Sequence, residues 1–120
     1  MDKVNILLID DEIEFIETLS ERLELRGYNS EIAEDGETGI SMITTKDFDV
    51  VILDLMMPGL SGLDTLRQIK AIDKKLPVIL LTGHGSTKDG MEGMQLGAFD
   101  FLMKPLDINK LIEKIQLALK

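Results

Sequence analysis

Five short apolar runs alternate with amphipathic stretches along the chain, at residues 4–9, 32–33 with their neighbours, 50–53, 78–81 and 99–102. Each is too short for an ordinary helix. Most are rich in Val, Ile and Leu, and at least three lack polar alternation, which is how strands covered on both faces of a parallel sheet read. The intervening stretches carry helical spacing. Ile16, Leu19 and Leu23 share one face, and Gly27 stands where a left-handed cap would end that helix. Residues 39–43 predict a shorter helix. Leu63, Leu66 and Ile69 recur at threes after Ser61 and Gly62, and Ile108, Leu111, Ile112, Ile115 and Leu119 form a stripe behind Asp107, a predicted N-cap. Residues 86–96 predict a loosely held helix, because Gly90 and Gly93 each cost a helix interior about 1 kcal/mol relative to Ala.

Five strand–helix pairs in series predict an α/β fold, a doubly wound (βα)5 flavodoxin-like sandwich with right-handed crossovers. Ligands in such sheets sit beyond the carboxyl ends of the strands, where the winding reverses. The first run ends in Asp10-Asp11-Glu12, the third in Asp54, the fourth in Thr82, and the fifth runs into Lys104-Pro105. With a parallel five-stranded sheet in the order 2-1-3-4-5, the first and third strands are neighbours and Asp10, Asp11 and Asp54 converge. Acids gathered in one pocket repel one another unless a cation offsets them. Hard oxygen ligands in a small site that keeps waters suit Mg²⁺.

Each residue also has a plainer reading. Asp10-Asp11 would place favourable negative charge at a helix N-terminus. Lys104 would be a solvated surface lysine, and Thr82-Gly83 a turn. Their placement together favours the chemical reading: Lys104 is a point charge for a phosphoryl oxygen, and Gly83 leaves a backbone N–H open to close approach.

Composition narrows the field. At 120 residues, 44% hydrophobic, the chain predicts one domain, 1–120, with a core of its own. It has no cysteine, which excludes thiol, zinc-finger and disulfide scaffolds. A net charge of −9 disfavours direct contact with nucleic acid or anionic membrane. The first apolar run is too short to span a bilayer and lacks a basic flank, so a cytoplasmic protein is expected.

The motifs ILLIDDE (6–12), DVVILDLMMPGLSGLD (49–64), PVILLTGHG (77–85) and GAFDFLMKPLD (97–107) resemble those of response-regulator receiver domains of bacterial two-component systems, which share the chemotaxis-regulator-like fold. The last two are most similar to receivers of nitrogen-control-type enhancer-binding regulators. The resemblance implies a phosphoacceptor switch rather than an enzyme: a chain that catalyses only its own phosphorylation and dephosphorylation. Asp54 then takes the phosphoryl group from the phosphohistidine of a sensor histidine kinase. Asp10, Asp11, Asp54 and the Met56 backbone carbonyl hold Mg²⁺. Thr82 and Lys104 meet the phosphoryl oxygens, as does the Gly83 backbone. Phe101 is the switch aromatic, and the Lys104–Pro105 peptide is cis. The output is a shift of the face made by the fourth helix, fifth strand and fifth helix. Further partners implied are an effector domain or downstream protein and a phosphorylation-dependent homodimer.

Other readings stand beside it. A degenerate receiver would act only as an interaction module, which the intact acceptor, acids, Thr and Lys oppose. An Asp-nucleophile, Mg²⁺-dependent phosphatase of the haloacid-dehalogenase type wants an Asp where Met56 stands. A flavodoxin-like cofactor binder wants Ser, Thr and Gly where Asp10-Asp11-Glu12 stands. His84, the only histidine, reads as a loop residue near the phosphoryl group with no chemical duty. The methionines read as core filler, with Met91 and Met94 as the exceptions.

Overall fold

The computed structural model describes residues 3–57, 61–83 and 87–120. His84 lies outside the described residues. Five strands and five helices alternate: β1 (Asn5–Ile9), α1 (Ile13–Leu25), β2 (Asn29–Ala33), α2 (Gly36–Thr45), β3 (Val50–Asp54), α3 (Gly62–Ile72), β4 (Val78–Thr82), α4 (Thr87–Gln95), β5 (Asp100–Met103) and α5 (Ile108–Ala118). All strand pairs are parallel and the order is β2-β1-β3-β4-β5. This is the predicted doubly wound sheet.

The lack of alternation in the apolar runs has its cause in the two layers of helices. Every residue of β3 and β4 is buried. Odd positions of β1 and β3 (Leu7, Ile9, Val51, Leu53) join Val78 and Leu80 of β4 and Leu66 and Ile69 of α3 on one sheet face. Even positions (Ile6, Leu8, Val50, Ile52) join Ile79 and Leu81 of β4 on the other, against Ile16, Leu19 and Leu23 of α1 and Leu111 and Ile115 of α5. Each fully buried Leu or Ile contributes about 1.5–3 kcal/mol. Strand β2 lies at the sheet edge, where only Ala33 is fully buried, so its sequence carries the weakest strand signal.

The helix ends follow local chemistry. Gly27 adopts φ +91° after α1, and its N–H donates to the Glu24 carbonyl. The Ser61 and Asp107 side chains accept from the amides of Asp64 and Asn109 at the starts of α3 and α5. Helix α2 is longer than predicted because Asp35 caps it, accepting from the Thr38 amide at 2.7 Å. The two glycines of α4 have a packing reason. A Cβ on Gly93 would collide with Leu80 Cδ1, and one on Gly90 would stand 2.6 Å from Phe101 Cδ2. Absence of side chains here lets α4 lie close on β4 and β5.

Candidate functional site

At the carboxyl ends of β1 and β3, the strand register sets Ile9 beside Leu53, so the residues that follow, Asp10 and Asp54, are neighbours. Both are nearly or fully enclosed, Asp10 at 0% and Asp54 at 2% exposure. Carboxylate oxygens of Asp10, Glu12 and Asp54 lie within 4.8 Å of one another. One cation serves all three: Lys104 Nζ is 3.0 Å from Asp10 Oδ2, 2.5 Å from Glu12 Oε1 and 3.7 Å from Asp54 Oδ2. The ammonium also lies 4.4 Å from the centre of the Phe15 ring on α1, within cation–π reach.

The backbone holds the acids in place. Asp10 Oδ1 accepts from the Glu12 amide at 2.9 Å, and Asp54 Oδ1 from the Met56 amide at 3.1 Å. Lys104 is fixed from behind, its amide donating to the Thr82 carbonyl at 2.9 Å. The Lys104–Pro105 peptide is cis, as the resemblance implied.

Charge in this enclosure is unevenly tolerated. Burial pushes the Asp54 carboxyl up to about 6. The negative Asp10 adds to that rise, while the Met56 amide and Lys104 oppose it. For Lys104, burial favours the neutral amine, but hydrogen bonds to Glu12 and Asp10 and the charges of Asp10 and Asp54 outweigh it and hold the ammonium above its ordinary range. Three carboxylates against one ammonium leave the pocket net negative. A hard divalent cation would balance that charge. Burial of Asp10 and Asp54, both oxygen donors, fits Mg²⁺.

The remaining predicted residues fall around this centre. Thr82, at 0% exposure, directs its hydroxyl to the Leu102 carbonyl at 3.5 Å. Gly83 follows, and a Cβ there would make only ordinary contact with Met56 Cγ at 3.6 Å, so no crowding demands glycine. The Met56 side chain is 58% exposed while its amide is bound to Asp54. Phe101 is partly buried against the core. Asp11 is exposed and stands outside the close group of carboxylates. Asp10 turns inward at the strand tip, and the chain then turns outward before α1. Glu12, by contrast, reaches Lys104. Sequence reasoning named Glu12 as an acid at the strand end but gave it no role, and no local signal links it to a lysine more than ninety residues later. The Phe15 contact was likewise missed.

Comparison with known proteins agrees with this geometry. Residues 6–116 match the response regulator receiver domain. The chain belongs to that family. Over 120 residues it is 38% identical to the transcriptional regulatory protein YkoG of Bacillus subtilis, covering all of this chain and 53% of that protein. It is 34% identical over 117 residues to the transcriptional regulatory protein ZraR of Salmonella typhimurium, covering 98% of this chain and 26% of the relative. The chain therefore spans from about a quarter to about half the length of these relatives. Among solved structures, a receiver domain from Clostridium thermocellum superposes with TM-score 0.92 at 38% identity, covering 97% of this chain and 94% of that one. The receiver domain of NtrX from Brucella abortus gives TM-score 0.91 at 31% identity, covering 95% and 97%. The receiver fold and the likeness to regulators of the nitrogen-control type thus stand as the sequence motifs implied. Among the described residues, no helix is long and apolar enough to cross a membrane.

Proposed function

We propose that this receiver accepts a phosphoryl group on Asp54 from the phosphohistidine of a sensor histidine kinase, in the presence of Mg²⁺, and relays the event through Thr82 and Phe101. The observation that carries the reading is the enclosed Asp54 carboxylate, 3.7 Å from an ammonium that two other acids already hold. An Asp54 oxygen attacks phosphorus as the bond to the histidine nitrogen breaks, and the freed imidazole leaves with that bond's electrons. Ionised Asp54 is the nucleophile, and a divalent cation bound beside it would favour the carboxylate against the rise that burial imposes.

Charge on the transferring oxygens must be neutralised for this step. Lys104 supplies one positive charge at a fixed place, since its amide is anchored to β4. Asp10, Asp54 and the Met56 backbone carbonyl would hold Mg²⁺, with Asp11 or Glu12 acting through water or directly. Bound there, the ion supplies Lewis-acid neutralisation of the phosphoryl oxygens. The acyl phosphate formed adds charge and acceptor oxygens, toward which the Thr82 hydroxyl and the Gly83 N–H turn. The Thr82 hydroxyl then leaves the Leu102 carbonyl, and the α4–β5–α5 face changes population.

The chain thus catalyses its own phosphorylation and dephosphorylation and turns over no outside substrate. It acts in the cytoplasm, as part of a longer regulator or on a downstream protein. A groove of roughly 330 Å³ beside the pocket, lined by Phe15, Thr18, Leu19 and Arg22 of α1 with Leu106 and Ile108, suits the helix carrying the phosphohistidine. The test is chemical. After incubation with phosphoramidate (a small P–N donor) and Mg²⁺, borohydride reduction should convert residue 54 alone to homoserine. Homoserine at Asp10 or Asp11, or none anywhere, contradicts the assignment.

A further inference from the structure

Phe101 and Thr82 occupy neighbouring strands and the same sheet face. The register pairs Leu80 with Phe101 and Thr82 with Met103, so the Thr82 and Phe101 side chains are diagonal neighbours on the side covered by α4. On that side the Phe101 ring rests on bare backbone. A Cβ built on Gly90 would stand 2.6 Å from Cδ2, 2.8 Å from Cε2 and 2.8 Å from Cγ of the ring. No real Cβ tolerates such contacts, so the present ring position exists only because residue 90 of α4 has no side chain. Neither helix propensity nor backbone geometry asks for glycine there, since among the described residues positive φ is confined to Gly27 and Gly97.

We propose that Gly90 is a positioning residue: its bare Cα is the seat that holds the Phe101 ring in the unphosphorylated conformation, and vacating that seat carries a change at Thr82 to α4. The inference rests on the acceptor reading above. When the Thr82 hydroxyl leaves the Leu102 carbonyl for Asp54, space opens beside the ring on its own face. The ring moves into it and releases α4, whose Met91, beside Gly90, is 60% exposed. A methyl group at residue 90 would crowd the seated ring. It would thereby favour the unseated state, and ligands that prefer that state would bind more tightly.

The experiment uses the full chain as wild type, Gly90→Ala, Phe101→Leu and the double variant. Each is titrated with beryllofluoride, a stable phosphoryl mimic, in Mg²⁺, and each is labelled with fluorophenylalanine for ¹⁹F spectra. The Phe101 resonance is the one absent from Phe101→Leu. Gly90→Ala should move that resonance, without ligand, toward its place in ligand-saturated wild type, and should raise beryllofluoride affinity ~5-fold. In the Phe101→Leu background the same substitution should change affinity less than about twofold, because no ring is left to crowd. An unmoved resonance, or an equal affinity change with and without the ring, overturns the proposal. Wild type itself supplies a check that does not depend on a variant folding: nuclear Overhauser contacts between the Gly90 Hα protons and the Phe101 ring should be present without ligand and lost with it. If they persist, the seat is not vacated and the proposal fails. If wild type binds no beryllofluoride, the acceptor reading fails separately. The ligand-free Phe101 resonance then decides the seat alone, upheld if Gly90→Ala moves it and overturned if not.

Discussion

Asp54→Asn should make the metal-free protein more stable at neutral pH. The folded chain raises the Asp54 carboxyl from the ordinary 3.8 to about 6, first through burial and then through the charge of Asp10. A folded value above the unfolded one means that the native state prefers the protonated acid. The resulting stability is fully present below pH about 4 and is lost as pH rises through about 6. At pH 7.5 the ionised carboxylate therefore costs folding roughly 3 kcal/mol relative to a neutral group of the same shape, each pH unit being worth about 1.4. Asparagine is that group. In EDTA at pH 7.5 the variant should melt about 10 °C above wild type, the response expected of a domain this size. The gap should close towards pH 4. Excess Mg²⁺ should then restore wild type by about 2.7 kcal/mol at a hundredfold excess over its dissociation constant and act less on the variant. Calorimetric melts across pH, with and without metal, read all of this. Equal melting at pH 7.5 in EDTA, or a gap that persists at pH 4, would refute the reasoning.

Lys104→Met removes the cation shared by buried Asp10 and Asp54 and should cost roughly 3 kcal/mol in denaturant melts without metal, with partial recovery on acidification. Gly93→Ala pits propensity against packing: an exposed helix would gain about 1 kcal/mol, but the added methyl meets Leu80 Cδ1, so a net loss of about 1–2 kcal/mol is expected. A gain in melting temperature would show that α4 yields freely. Ser61→Ala removes the cap of α3, which accepts from Asp64 N–H at 3.1 Å, and should lower stability by about 1 kcal/mol in a urea titration.

The fold was legible because a parallel sheet with helices on both faces buries whole strands. Residues 50–53 and 78–81 show it by lacking any polar alternation. Strand β2 was the least legible, since an edge strand buries only Ala33 fully and its sequence, Asn29-Ser30-Glu31, reads as polar. The glycines of α4 were legible only as a helix weakness. That they make room for Leu80 and the Phe101 ring depends on β4 and β5 lying beneath them, which no local pattern encodes. In the pocket, Asp10, Asp54, Thr82 and Lys104 were found because strand tips converge in a doubly wound sheet. The division of labour between Asp11 and Glu12 was not, because adjacent acids look alike until the turn into α1 aims one at solvent and the other at Lys104. The shared ammonium is legible only once β1, β3, β4 and β5 are assembled in one sheet.

If Asp54 is the acceptor and its chemistry needs a divalent cation, both requirements show in the mass of the intact chain. Intact-mass spectrometry after incubation with acetyl phosphate, on wild type and on Asp54→Ala, with Mg²⁺ or with EDTA, tests them most directly. Wild type should gain one phosphoryl group with Mg²⁺ only, and the variant none. The same gain in Asp54→Ala, or in EDTA, would contradict this.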